Sequence, residues 1–385
     1  MNNIKYEEIL AWIMDMVSIP SYPGIEKQET GVAIYIKSIF DKEGIKCELV
    51  EVEDGRCNVY AELESETKGK TLLLCGHMDT VEPYNMKDAL KPVVVGDKLY
   101  GRGTSDMKGP VACMMAAMID LKRSGTQFKG KVMFAGVCDE EMNSIGAIEL
   151  LKSDIKVDAA IIGEPTDLDI CLGHRGLEWY EFKFIGKTVH GGSQDKGINA
   201  IQKAVKFINH LEDDLIPFVN AKKHELLDKA TLNYGVIQGG TQLSTVAGEC
   251  ILLVDRRFLP YESYEDVENE FKDLINKLSK EDEDFHCEMK VLDVSVMKPG
   301  YVHMPMEIDK DHELVKRLKE ISPDSKLTFF PAWTDGGLLY SYGNIPTVVI
   351  GPGLIECCHS DSEYMPTEHI MRAATIYREA IIKYC

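Results

Sequence analysis

The chain has 385 residues, 44% of them apolar and 28% charged, with a formal net charge of -20. That length exceeds what one hydrophobic core usually supports, so two domains are expected. The acidity argues against a nucleic-acid backbone or an anionic membrane surface as the main partner, and no apolar stretch approaches the roughly 20 residues that span a bilayer.

The N-terminal stretch MNNIKYEEILAWIMDMVSIP carries Glu7, Glu8 and Asp15 among apolar residues at helical spacing, which reads as a helix rather than an export signal. From there to about residue 178, strand-like runs (NVYAEL, TLLLCG, KVMFAGV, DAAIIG) alternate with helical ones (GPVACMMAAMIDLKRSG, NSIGAIELLKS). Such alternation predicts an α/β catalytic domain with a doubly wound, largely parallel sheet. Past Gly176 the order becomes strand, helix, strand, strand, helix, strand (LEWYEFKFIG to FHCEMKVLDVS), the β-α-β-β-α-β pattern of a ferredoxin-like unit. This predicts a separate inserted domain over 179–293, splitting the larger domain into segments 1–178 and 294–385. The second segment is expected to contain a helix (DKDHELVKRLKEI), a buried strand (GNIPTVVIGPG) and a closing helix (TEHIMRAATIYREAIIKYC).

Eleven cysteines in a long chain with no visible secretion signal read as free thiols in a reducing, cytoplasmic compartment. Cys357 and Cys358 have no second pair at finger-like spacing and read as packing residues.

Ligands of an open α/β sheet bind outside the carboxyl ends of its strands. There the sequence places His77 and Asp79 after TLLLCG, Asp139, Glu140 and Glu141 after KVMFAGV, Glu164 after DAAIIG, and His359 beyond PTVVIGPG. Asp106, in the glycine-rich GRGTSDMKG just before a predicted helix, joins them. Imidazole and carboxylate together suit zinc or a neighbouring transition metal, and His77, Asp106, Glu141, Glu164 and His359 exceed what one tetrahedral ion needs. Two ions sharing a carboxylate fit better. In extended chain, residues two apart face the same way, so Asp79 is expected to accept the second N–H of His77. Adjacent Glu140 and Glu141 should diverge, one holding metal and the other serving as general base. His190 by itself reads as a surface histidine, and Arg257 with Asp255 as a surface ion pair.

Taken in order, GHMDTV, GRGTSDMKG, DEE, GEPT, GKTVHGG, DRRFLP and the late histidine of CCHSDSEYMP resemble the dinuclear-zinc aminoacylase and carboxypeptidase family, which includes acetylornithine deacetylase, succinyl-diaminopimelate desuccinylase and various dipeptidases. The resemblance covers essentially the whole chain. It implies that His77, Asp106 and Glu164 hold one zinc and Glu141, Asp106 and His359 the other, with Asp106 bridging through a peptide often cis in relatives. Cobalt or manganese are the alternative metals. Glu140 would be the catalytic base, Asp79 the residue behind His77, His190 an oxyanion-holding histidine of a lid and dimerisation domain, and Arg257 the partner of a substrate carboxylate. The implied activity is hydrolysis of an N-acyl amino acid, in a homodimer joined through the lid. A dipeptidase or carboxypeptidase is the alternative, and a non-catalytic zinc-dependent binding protein a more distant one. Ser244 stands where many members have asparagine, and Gly336 and Gly337 where several deacylases place arginine, so the resemblance leaves the substrate open.

Overall fold

The computed structural model describes residues 3–153 and 155–385, which leaves the first two residues of the expected N-terminal segment outside the described residues. The chain forms two compact units, 1–174 with 306–385, and 175–305. These limits lie outside the expected 179 and 293 because flanking residues pair within the smaller unit. There Ser295 Oγ donates to Glu178 at 2.7 Å and Leu177 N donates to His303 O at 3.0 Å.

The larger unit is built on an eight-stranded sheet. Its centre is parallel, in the order Lys131–Val137, Thr71–His77, Ala159–Ile162, Thr347–Val349. The hairpin Lys46–Glu53 and Arg56–Glu64 adds antiparallel strands at one edge, and the short strands Ile170–Cys171 and Leu327–Thr328 complete the other. The central strands are apolar on both faces because both are covered. Leu73 and Cys75 belong to a cluster with Leu150, Ile162 and Leu339, while Leu72 and Leu74 project to the face covered by the helix Lys108–Ser124. That helix is buried from Lys108 through Leu121, since the helices Tyr6–Ser18 and Thr367–Tyr384 pack on its outer side, and it stops at the left-handed Gly125. In the parallel register His77 lies opposite Val137, Cys75 opposite Ile162, and Ile162 opposite Val349, so these strands end along one edge.

The smaller unit is the expected ferredoxin-like arrangement. Its four antiparallel strands run in the order Thr231–Gly239, Glu249–Phe258, Gly176–Ile185, His286–Val291, with helices Ala200–His210 and Tyr264–Glu281. Strict alternation along Gly176–Ile185 sends Tyr180, Phe182 and Phe184 inward onto Phe207 and Phe271, with ring centroids 5.0–5.4 Å apart across the sheet–helix contacts. Asn199 and Ser263 cap the two helices through their side chains. The edge strand Thr231–Gly239 leaves Val236 and Ile237 about half exposed.

Glu178 is buried in this unit, and burial, opposed by hydrogen bonds from Ser295, the Trp179 N–H and Tyr264, pushes its carboxyl up to about 7. An acid whose folded pKa is raised takes up a proton that the unfolded chain lacks. Stability therefore falls as pH rises between the ordinary value and about 7, by roughly 3 kcal/mol in total. Glu178→Gln, which carries no charge, is expected to raise the denaturant midpoint relative to the parent at about pH 8 and to change it little at about pH 5. A difference independent of pH would contradict this.

Candidate metal centre and active site

The strand ends of the larger unit bring together all five expected ligands. His77 closes its strand, and its Nε2 lies 3.0 Å from Asp106 Oδ1 and 3.5 Å from Glu164 Oε1. The ring of His359, whose backbone sits at φ 56°, points its Nε2 at Asp106 Oδ2 (3.2 Å) and Glu141 Oε2 (3.1 Å). Asp106 thus presents one oxygen to each imidazole, and its bond to Met107 is cis. The helix that follows starts close in: a Cβ at Gly109 would stand 2.1 Å from Thr104 O, so only glycine admits this approach.

Asp79 stands behind His77 as expected, but through a different atom. The chain leaves its extended path after His77, and the backbone carbonyl of Asp79, 3.0 Å away, accepts the Nδ1 proton while its carboxylate stands at 3.6 Å. That carboxylate instead accepts the N–H groups of Glu140 (3.2 Å) and Glu141 (3.1 Å). The two glutamates are likewise in a turn, not in extended chain, entered through Asp139 at φ 69°. They still diverge. Glu141 meets His359 and Asp106, whereas Glu140 offers an oxygen near His77 and Glu164. Behind them the buried Glu29 accepts the Asp139 N–H at 3.1 Å, and Arg56 joins Glu29 to the Asp139 carboxylate.

Four carboxylates crowd two imidazoles here. Burial pushes Glu140 and Glu164 well above the usual carboxylate range. Burial also opposes charge on His77 and Asp106. Glu164, Asp106 and Asp79 nevertheless hold His77 well above its ordinary value, and hydrogen bonds from His359 and His77 hold Asp106 well below its own. Contacts to Asp106 and Glu141 take His359 up to about 11.

A carbonyl only accepts, so the Asp79 contact requires a proton on Nδ1 of His77 and leaves Nε2, facing two carboxylate oxygens, to carry a second proton or a metal ion. Positive charge has to lie between them. Ligand atoms of a tetrahedral ion bound at about 2.0–2.1 Å stand about 3.3 Å apart, which matches the 3.0–3.5 Å separations measured around each imidazole. The residues present therefore fit a pair of metal ions.

The cluster opens into a cavity of about 200 Å³ whose other walls are Phe330, Ala332, Trp333, Ile355 and Cys358. A larger cavity of about 420 Å³, beside the hairpin strand that begins at Lys46, contains neither ligand cluster.

Residues 73–383 match the model of the peptidase family M20/M25/M40. The chain belongs to this family. It is an M20 hydrolase of amide bonds, a family that includes dinuclear metal-binding peptidases. Among named relatives it is 27% identical to a probable succinyl-diaminopimelate desuccinylase of Staphylococcus aureus (strain MRSA252), across 100% of this chain and 99% of the other. It is 29% identical to an acetylornithine deacetylase of Vibrio campbellii (strain ATCC BAA-1116), across 99% of each. Among solved structures, a tripeptidase from Staphylococcus aureus superposes with a TM-score of 0.81 at 22% identity, covering 99% of this chain and 98% of that one. A dinuclear metal-binding M20 peptidase from Bacillus subtilis gives 0.73 at 16% identity, covering 98% and 97%.

The other two expected site residues, His190 and Arg257, belong to the smaller unit. His190 is exposed, and its Nδ1 accepts the Gly192 N–H at 3.1 Å. Arg257 gives Nε and Nη2 to Asp255 at 2.8 and 2.9 Å, so its fork is already engaged. Sequence reasoning passed over the charged residues that hold the ligand loops: the buried Glu29, Arg102 and Glu363, and the half-buried Arg56. Arg102 and Glu363 lie in the segments that carry Asp106 and His359, which is their one sequence signal, whereas Glu29 and Arg56 lie in segments without a ligand and have none.

No helix among the described residues is long and apolar enough to cross a membrane.

Proposed function

We propose that the protein is a dinuclear, zinc-dependent deacylase of N-acyl amino acids, with cobalt or manganese able to replace zinc. The observation that carries this reading is that His77 and His359 each face two carboxylates across a shared Asp106. His77, Asp106 and Glu164 would hold one ion, and Glu141, Asp106 and His359 the other. When bound, such ions lower the pKa of a water and polarise a carbonyl beside it.

The chain's own residues account for the rest. Glu140, aimed at the cavity and held by Asp79 through its backbone, takes a proton from the attacking water and returns it to the leaving amine. Asp79 orients His77 through its carbonyl and shapes the 140–141 turn through its carboxylate, so one residue sets both base and ligands. By family resemblance His190 would steady the oxyanion and Arg257 the substrate carboxylate, which requires the Asp255 contact to open. Eleven free thiols suit the reducing cytoplasm.

The wall formed by Phe330, Ala332, Trp333 and Ile355 is apolar and favours a small apolar acyl group over a succinyl group. The same wall would take a peptide side chain, which keeps the dipeptidase reading as second. A panel of N-acetyl, N-succinyl and dipeptide substrates with added zinc, cobalt or manganese tests both, with N-acetyl amino acids expected to give the highest kcat/KM. Dipeptides turned over faster would favour the second reading, and inactivity on the whole panel in metal-loaded protein would reject both.

A homodimer formed through the smaller unit is part of the proposal, because an edge strand with exposed Val236 and Ile237 is open to pairing. Light scattering should give twice the chain mass at micromolar concentration and the single mass for Ile237→Lys. A monomeric parent would remove the dimer.

A further inference from the structure

Glu363, four residues beyond His359, is fully buried. Its Oε1 accepts three backbone N–H groups from one loop, those of Gly103 (3.0 Å), Ser105 (3.0 Å) and Asp106 (3.1 Å). Its Oε2 accepts Arg102 Nη1 at 2.6 Å, and Arg102 Nη2 donates onward to Ser360 O at 2.9 Å. Ser105 Oγ adds a bond to Tyr364 O at 2.7 Å. The loop that carries Asp106 is therefore wrapped around a carboxylate from the segment that carries His359, with Gly103 at φ 89° making the wrap.

A buried ion pair contributes little net stability, since desolvation offsets its Coulomb energy. This one occupies the junction between two segments that each supply a metal ligand. We infer that Glu363 and Arg102 form a clasp that sets the distance between Asp106 and His359, and that Glu363 is a positioning residue of the metal centre. The inference rests on the dinuclear reading above. Glu363 Oε1 fixes the backbone of Asp106, and Arg102 fixes Ser360, the neighbour of His359. Neither residue is among the five ligands.

The test is titration of metal-free parent, Glu363→Gln, Arg102→Met and Asp120→Asn with Co²⁺, read by calorimetry and by visible absorption of the bound ion, alongside thermal melting without metal. Glutamine presents an amide N–H to the guanidinium and so opens the clasp at nearly constant volume. Asp120 serves as a control because its buried pair with Arg378, also at 2.6 Å, joins two helices and no ligand-bearing loop.

The parent is expected to bind two Co²⁺ per chain. Glu363→Gln is expected to bind them about 10–100-fold more weakly, with an altered visible spectrum, the range found when groups behind metal ligands are changed. Arg102→Met, which keeps the three N–H contacts and frees Ser360, should weaken one of the two equivalents. Asp120→Asn should melt earlier yet bind Co²⁺ as the parent does.

Parent-like affinity and spectrum in Glu363→Gln, or equal weakening in Asp120→Asn, would overturn the clasp. If Glu363→Gln does not fold, Arg102→Met decides alone. Failure of both to fold would make the pair a folding element and also overturn it. A parent that binds fewer than two Co²⁺ would instead overturn the dinuclear reading, and the clasp with it.

Discussion

Glu140→Ala is expected to keep two metal equivalents per chain while turnover falls by about 10²–10⁴-fold, the usual contribution of a positioned acid–base group. The expectation comes from its place at the cavity, with its backbone N–H on Asp79 and its neighbour Glu141 against His359. Glu140 also lies close enough to His77 and Glu164 for its oxygen to join them as a ligand, and this variant separates the two roles. The measurements are metal content after dialysis and kcat on the best substrate of the panel. Loss of one equivalent together with activity would make Glu140 a ligand and return the base role to another residue.

Asp106→Ala should have the larger effect on metal. It removes the oxygens that face His77 at 3.0 Å and His359 at 3.2 Å, so both sites lose a ligand at once. It also relieves the two imidazoles of the carboxylate that helps keep them charged in the metal-free protein. Expected are retention of fewer than two equivalents, activity at background, and a lower pKa for His359 by NMR titration of metal-free protein, since Asp106 heads the groups that raise it. Retention of both metals would show that Asp106 does not bridge.

Much of the site could be read from strand ends alone. Three apolar runs, each followed by His, Asp or Glu, were enough to place His77, Glu141 and Glu164 at one edge. The parallel register of His77 with Val137 and of Cys75 with Ile162 is the physical reason. Asp106 needed its glycines, because an acid before a helix otherwise reads as a cap. Two features were not legible. The exchange of roles at Asp79 depends on the backbone turning just past His77, and period-two alternation holds only while the chain stays extended. Glu363 and Arg102 were not singled out in sequence, since nothing local reveals that one carboxylate collects three N–H groups from a loop more than 250 residues earlier.

The strand Thr347–Val349 lies between Ala159–Ile162 and Ile170–Cys171, although the chain reaches it only after making the whole inserted unit. During synthesis the first 174 residues would therefore carry a gap in the middle of their sheet, with Ile161 and Ile162 lacking a neighbour on that side. The smaller unit, continuous in sequence, is free to fold first. Closure of the gap and arrival of His359 then belong to the same late event, so a chain still on the ribosome would hold one histidine of the pair and no competence for catalysis.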